Sequence, residues 1–254
     1  MLAVERKNLI LEQLRAQGRV LIKKLSAEFQ VTEETIRRDL EKLEREGFIL
    51  RGHGGAVYTE GNRADPPYSV RKKTNVQGKE RIAALAANLV TDGDFIMLDE
   101  SSTASYIARE LAGKRNITLI TNSIEILAEV RDKAGWNVLC TGGRLKKDVM
   151  ALTGRQAESF IRGYHVDKAI ISCTGLDIQT GYTDAGEDNA LIKQAMMASA
   201  DKTILACDSH KFNKRAFAPI GGLDELEALI TDTCPDDMWS AALSEKGVAL
   251  YYPE

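Results

Sequence analysis

The sequence predicts an α/β chain made of a small N-terminal winged helix-turn-helix and a larger parallel α/β domain. Charge is the first of three observations behind this. Residues 1–75 hold 15 basic and 11 acidic side chains, and residues 76–254 hold 19 and 26, so the net −3 joins a +4 segment to a −7 segment. A change of sign along a chain points to different partners for its parts. Second, three short helical patterns crowd ahead of a glycine-rich turn at Gly52-His53-Gly54-Gly55. Third, beyond Gly78 short apolar runs alternate with helical stretches, the pattern of a parallel sheet. Residues 59–77, with Pro66, Pro67 and Arg71-Lys72-Lys73, follow neither period and are expected to link a domain at 1–58 to one at 78–254.

Composition narrows the class. With 44% apolar and 28% charged residues the chain is not disordered. Its longest apolar run, Ile82–Ala87, is six residues, against the ~18 a membrane span needs. No basic-then-apolar leader opens it, so a cytosolic location is expected. Cys140, Cys173, Cys207 and Cys234 are too far apart for a CxxC site, and neither a metal nor a cofactor is expected.

In the first segment, Leu9, Ile10, Gln13 and Leu14 mark one helix ending at Gly18, and Arg19-Val20-Leu21 is extended. Ile22, Leu25 and Phe29 mark a second, short helix. Thr32 is the N-cap expected for a third helix, which runs to about Glu46 and ends at Gly47. Phe48–Arg51 and Ala56–Tyr58 flank the glycine turn as a two-stranded ribbon. With Ile36, Leu40 and Leu43 turned inward, Glu34, Arg37, Arg38 and Glu41 must face outward. An arginine fork matches guanine O6 and N7 or a phosphate. A solvated face in which Glu33, Glu34 and Glu41 pair with the arginines is the plainer alternative, but the complete helix-turn-helix-wing layout favours DNA binding. The DNA contacts expected are Lys23, Lys24, Thr32, Glu34, Thr35, Arg37, Arg38, Arg51 and His53, with Arg19 near the backbone. Asp39 is expected to pair with an arginine of its own helix or to aid packing.

In the second segment, helices are expected at 79–90, 103–112, 124–131, 150–161 and 189–200. Strands are expected at 95–98, 117–120, 138–140, 169–172 and 203–206, with short strands near 229–230 and 248–251. Ligands of such sheets lie beyond the carboxyl ends of the strands. Those ends are polar here: Asp99-Glu100-Ser101-Ser102-Thr103, Thr121-Asn122-Ser123, Gly142-Gly143, Thr174-Gly175 and Asp208-Ser209-His210-Lys211. Small polar residues opening a helix present N–H groups to an anion, carboxylates accept from sugar hydroxyls, and Lys211 offsets phosphate charge. Each motif alone is ordinary capping or turn chemistry, but five together describe a phosphosugar pocket. Its expected residues are Asp99, Ser101, Ser102, Thr103, Thr121, Asn122, Ser123, Gly142, Gly143, Thr174, Gly175, Asp208, His210 and Lys211.

Thr35-Ile36-Arg37-Arg38-Asp39-Leu40, Leu43-Glu44, Gly47 and Arg51–Ala56 together resemble the N-terminal signature of DeoR-type bacterial sugar regulators. The resemblance continues through Asp99–Thr103, where Ser101 replaces a frequent glycine, Thr121–Ser123, Gly142-Gly143, and Asp208–Phe212, where His210 replaces a serine. It implies a C-terminal fold similar to ribose-5-phosphate isomerase, used to sense a phosphorylated sugar. The function expected is a DNA-binding transcriptional regulator, a repressor by family tendency, with operator DNA and a phosphorylated sugar as partners. It is expected to act as a homodimer or homotetramer without catalytic residues, because one small module reads only a half-site. The alternatives are a transcriptional activator, a sugar-phosphate isomerase using the same pocket, and an adaptor binding protein rather than DNA.

Overall fold

The computed structural model describes residues 2–45, 49–52, 54–58 and 66–253. The chain divides into two compact units, 1–66 and 67–254. In the small unit, α1 (Ala3–Gln17) ends at Gly18, whose φ of 71° lets its N–H reach the Leu14 carbonyl at 2.8 Å. β1 (Arg19–Leu21) leads into α2 (Ile22–Phe29), and a turn on Gln30 leads into α3 (Glu33–Arg45). Thr32 caps α3 as expected, its Oγ1 accepting from the Thr35 N–H at 3.2 Å. β2 (Ile49–Gly52) and β3 (Gly55–Tyr58) form the wing, and β1 adds to β3 as a third antiparallel strand that the two-stranded expectation lacked. Gly55 is required there, because a Cβ would lie 2.1 Å from the Val20 carbonyl oxygen. Ile10, Leu14, Leu25, Ile36, Leu40, Leu43 and Ile49 close the core. The expected helix end at Glu46-Gly47, Phe48 and the wing residue His53 lie outside the described residues.

The large unit begins before the expected boundary. Residues 67–77, assigned to a linker from their prolines and charges, instead carry α4 (Tyr68–Arg71) and the start of α5 (Val76–Asn88), both within this unit. Tyr68 is buried and hydrogen-bonded to Ser105 at 2.7 Å, an anchor that local periodicity does not reveal. Then follow β4 (Phe95–Leu98), α6 (Ser102–Glu110), β5 (Thr118–Thr121), α7 (Ile124–Val130), β6 (Asn137–Cys140), β7 (Arg144–Lys146), β8 (Ala151–Thr153) and α8 (Arg155–Arg162). The chain continues through β9 (Val166–Ile171), β10 (Gly175–Asp177), β11 (Gly181–Asp184), α9 (Glu187–Ala198), β12 (Ala200–Ala206), β13 (Ala218–Gly221), β14 (Ala228–Ile230), α10 (Asp237–Glu245) and β15 (Ala249–Tyr251).

Seven strands form one parallel sheet in the order β15-β14-β12-β9-β4-β5-β6. Alternation sorts their side chains into two cores. Met97, Ile171 and Leu205 face α8, α9 and α10, whereas Ile96, Leu98 and Ile170 face α5, α6 and α7. The helix expected at 150–161 is a strand followed by a shorter helix, split at Gly154, whose φ is 96°. A small antiparallel sheet, β10-β11-β13, stands beside the main one. The strand order reverses between β4 and β9, which makes their carboxyl ends the switch point where such sheets take ligands.

Candidate functional site

Two sites follow from these elements. On α3, Arg37, Arg38 and Glu34 are exposed as the inward turn of Ile36 and Leu40 requires. The arginines pair within the helix, Arg37 with Glu33 at 3.1 Å and Arg38 with Glu34 at 3.5 Å, which is the solvated-face geometry of the plainer alternative. Thr32, Lys23, Lys24 and Arg19 are exposed and Thr35 half-buried. Asp39 is buried, and its partner is on another helix: Arg6 of α1 donates to it at 2.6 Å, so this aspartate fastens α3 to α1. Arg51 is held by Glu44, at the far end of α3, at 2.6 Å.

The second site lies at the switch point. Asp99, directly after β4, accepts from the Ser101 N–H at 3.0 Å and, across the reversal, from the Ser172 N–H at 2.8 Å. Ser172 Oγ in turn meets Lys211 Nζ at 3.1 Å. A cation and a carboxylate therefore share one serine. The Asp99 oxygen that accepts from Ser172 also lies 3.5 Å from Lys193 Nζ, projected by α9, which is 3.3 Å from Glu100 and hydrogen-bonded to Asp184. All four groups are buried. Burial opposes the charge on Lys193, but Asp184, Glu100 and Asp99 outweigh it and push the ammonium pKa well above its usual value. Burial raises Glu100, and Asp99 and Asp184 add to the rise against the pull of Lys193. For Asp184, burial is overcome by Lys193, and the carboxyl lies below its usual range.

Asn122 donates to Glu100 at 3.4 Å and to the Leu152 carbonyl at 3.1 Å, and Asn189 donates to Asp184 at 3.5 Å. Four buried oxygens in this neighbourhood of strand ends and helix starts, Thr103 Oγ1, Asn122 Oδ1, Thr153 Oγ1 and Asn189 Oδ1, have no hydrogen-bond partner among the described residues. Native proteins leave few such atoms, and a polar ligand is one way to satisfy them. Other hydroxyls are already committed. Ser101 and Ser123 cap α6 and α7, and Thr121 Oγ1 donates to the Leu98 carbonyl at 2.7 Å. Ser102, next to the cap, is buried.

Asp208 accepts from the His210 N–H at 3.1 Å, and the exposed imidazole lies 3.3 Å from the same oxygen. Burial raises Asp208, but the hydrogen bond from the His210 imidazole and the charges of Lys211 and Lys79 hold it well below the usual carboxylate range. The imidazole contact with the Asp208 carboxylate in turn raises the pKa of His210. Gly142 and Gly143 are exposed turn residues leading into β7, and a Cβ on Gly143 would lie 2.8 Å from the Thr153 carbonyl oxygen. Thr174 and Gly175 enter the side sheet: Thr174 N–H donates to Thr183 O at 2.8 Å, and Gly175 packs on the Lys214 backbone.

Sequence reasoning missed Asp184, Asn189, Lys193 and Lys79. A usable signal existed for two of them: Asn189 and Lys193 lie four apart, and both are buried on α9 beside Ala190, Ile192 and Met196. The segment entering the large unit is also tied to the site. Asn75 donates to Asp232 at 2.9 Å, Asp232 accepts from the Ser209 N–H at 2.7 Å, and Lys79 donates to the carbonyls of Arg71, at 2.8 Å, and Thr74. Burial lowers the Lys79 pKa to about 8.

The description "DeoR-like helix-turn-helix domain" matches residues 6–61, and "DeoR C terminal sensor domain" matches residues 74–233. The chain belongs to the DeoR family of DNA-binding transcriptional regulators. Among its DeoR-family relatives, the uncharacterized HTH-type transcriptional regulator YulB of Bacillus subtilis (strain 168) is 41% identical over 98% of this chain and 96% of that protein. The HTH-type transcriptional repressor GlcR of the same organism is 35% identical over the same shares. The glycerol-3-phosphate regulon repressor of Escherichia coli (strain K12) is 28% identical over 91% of each chain. Among solved structures, ribose 5-phosphate isomerase A of Methanocaldococcus jannaschii overlaps 55% of each chain at 19% identity, with a TM-score of 0.41. Among the described residues no helix is long and apolar enough to cross a membrane.

Proposed function

We propose that this DeoR-family chain is a repressor whose DNA affinity is set by a phosphorylated sugar bound at the switch point of the large unit. The observation that carries the effector assignment is the sharing of Ser172 by Lys211 and Asp99. A cation next to carboxylate acceptors supports the reading, because a sugar phosphate combines an anion with hydroxyl donors. In this assignment Lys211, the α6 N-terminus at Ser101-Ser102-Thr103 and the Asp208–His210 pair take the phosphate end. Asp99, Glu100, Asn122, Asp184, Asn189 and Lys193 take the hydroxyl end. Gly142 and Gly143 leave the neighbouring turn uncrowded. The names of relatives support the reading, two being called repressors and one of those the repressor of a glycerol-3-phosphate regulon.

On the DNA side, Arg19, Lys23 and Lys24 contact phosphates, while Thr32, Glu34, Thr35, Arg37 and Arg38 enter the major groove. His53 belongs to the wing contact in the same proposal. Two or four copies act together in the cytoplasm, each small unit reading one half-site. Occupation of the switch point acts through Asp232 and Asn75 on the segment that leads toward the small unit, and a coupling of ~1–3 kcal/mol changes DNA affinity about 5–150-fold.

The test is a thermal-shift panel of pentose and hexose phosphates with their unphosphorylated counterparts. At least one phosphate ester is expected to raise Tm, and Lys211→Ala to abolish that rise. If every sugar phosphate leaves Tm unmoved, the pocket assignment fails. Turnover of a sugar phosphate, lost in Asp99→Ala, would replace it with an isomerase reading.

A further inference from the structure

The wing is fastened to the reading helix by one carboxylate. Glu44 of α3 accepts from the Arg51 backbone N–H at 3.0 Å through one oxygen and from Arg51 Nε at 2.6 Å through the other. At the turn of the ribbon, three residues on from Arg51, the Ile22 N–H at the start of α2 donates to the Gly54 carbonyl at 2.9 Å. Besides its pairing with β1, the ribbon thus touches two different helices of the helix-turn-helix. Arg37 lines the same cleft as Arg51, together with Ile22, Gly52, Gly54 and Gly55. The clasp side chains are partly exposed, 39% for Arg51 and 33% for Glu44, so solvent competes for them and only the double attachment makes the contact specific.

We infer that Glu44 is a positioning residue for the wing, and that Arg51 is the group it positions rather than a contact to DNA phosphate. Two physical points carry this. The Glu44 carboxylate cancels the Arg51 charge, so the pair brings no net charge to a polyanion. A phosphate that captured Arg51 would also leave Glu44 bare beside DNA, a like-charge cost that grows as the wing approaches. The clasp fixes the angle between α3 and β2, and with it the place at which the ribbon meets the duplex once α3 is seated. The inference rests on DNA reading by this unit, and it removes Arg51 from the phosphate contacts expected from the sequence.

The two roles predict opposite signs. In a positioning clasp, Glu44→Gln and Arg51→Gln each weaken binding to a duplex selected by the full-length protein from a random pool, by about five-fold or more. The double variant is then no weaker than either single one, and the slope of log affinity against log salt is unchanged. In a phosphate contact, Glu44→Gln tightens binding by freeing a cation, and Arg51→Gln lowers the salt slope by ~0.9. That pair of results overturns the inference. Hydrogen exchange on the DNA-free protein is independent of affinity: the Arg51 amide is expected to lose protection in Glu44→Ala, which removes its acceptor, and unchanged protection refutes the clasp. A wild type that selects no duplex at all counts against DNA reading and leaves the exchange result to decide the clasp.

Discussion

In the small unit Arg37 meets Glu33 at 3.1 Å with side chains 52% and 39% exposed, whereas in the large unit Lys193 meets Glu100 at 3.3 Å with side chains 4% and 1% exposed. The same chemistry does different work at the two depths. An exposed pair is worth about 0–1 kcal/mol, so a base edge or phosphate can displace its carboxylate at little cost. Arg37 and Arg38 are therefore exchangeable, which suits the DNA contacts proposed for them. Removing one member of a buried pair leaves an uncompensated charge, and costs about 3–5 kcal/mol. Lys193 and its three carboxylates therefore form a fixed framework, shaped before any ligand arrives.

The largest effect expected from this contrast is in Lys193→Met, which should destabilise the large unit by about 3–5 kcal/mol. Trp136 and Trp239 both lie in that unit, so fluorescence during urea unfolding reports on it selectively. The deficit should shrink in acid, because the stranded carboxylates take up protons, and a loss below ~1 kcal/mol would dissolve the contrast. Next comes Lys79. Its folded pKa of about 8 lies below the ordinary 10.5, so between those values the unfolded chain holds more protons and stability rises with pH. The gain across that window is of the order of 3 kcal/mol, and the pH dependence of urea midpoints should flatten in Lys79→Met. Arg37→Ala or Arg38→Ala should then cost ~1–3 kcal/mol in operator binding and relax preference at one base pair. Fluorescence anisotropy against single-base operator variants measures this, and an equal loss on every sequence would mark a phosphate contact instead. The smallest effect belongs to Glu33→Gln, whose melting curve should show a change within ~0.5 kcal/mol.

The elements easiest to anticipate were those in which local pattern and tertiary role agree. Phe95–Leu98 breaks abruptly into Asp99–Thr103, and the break is both the end of a strand and the start of the candidate site. Ile36, Leu40 and Leu43 orient α3 by spacing alone. Failures arose where the deciding partner is remote in sequence. Ala151–Thr153 fits a helical or an extended period equally well, and only pairing with Arg144–Lys146 selects the strand. Strands of three or four residues, such as Gly175–Asp177 and Gly181–Asp184, are too short to display a period. Asp184 and Lys193 read singly as surface charges, and their meaning comes from converging on Asp99 and Glu100 from different elements. Tyr68, beside two prolines, looked like linker because its partner Ser105 is 37 positions away.

The double engagement of Ser172 has a consequence for how ligand preference evolves. Its hydroxyl belongs to Lys211 and its amide to Asp99, so the two ends of the proposed pocket cannot be retuned independently. A substitution that draws Lys211 toward a bulkier ester shifts the residue on which Asp99 leans, and changes made at both ends will be epistatic rather than additive. If the pocket binds as proposed, successive mutations will move between whole sugar phosphates, because trading one substituent at a time passes through pockets that fit neither.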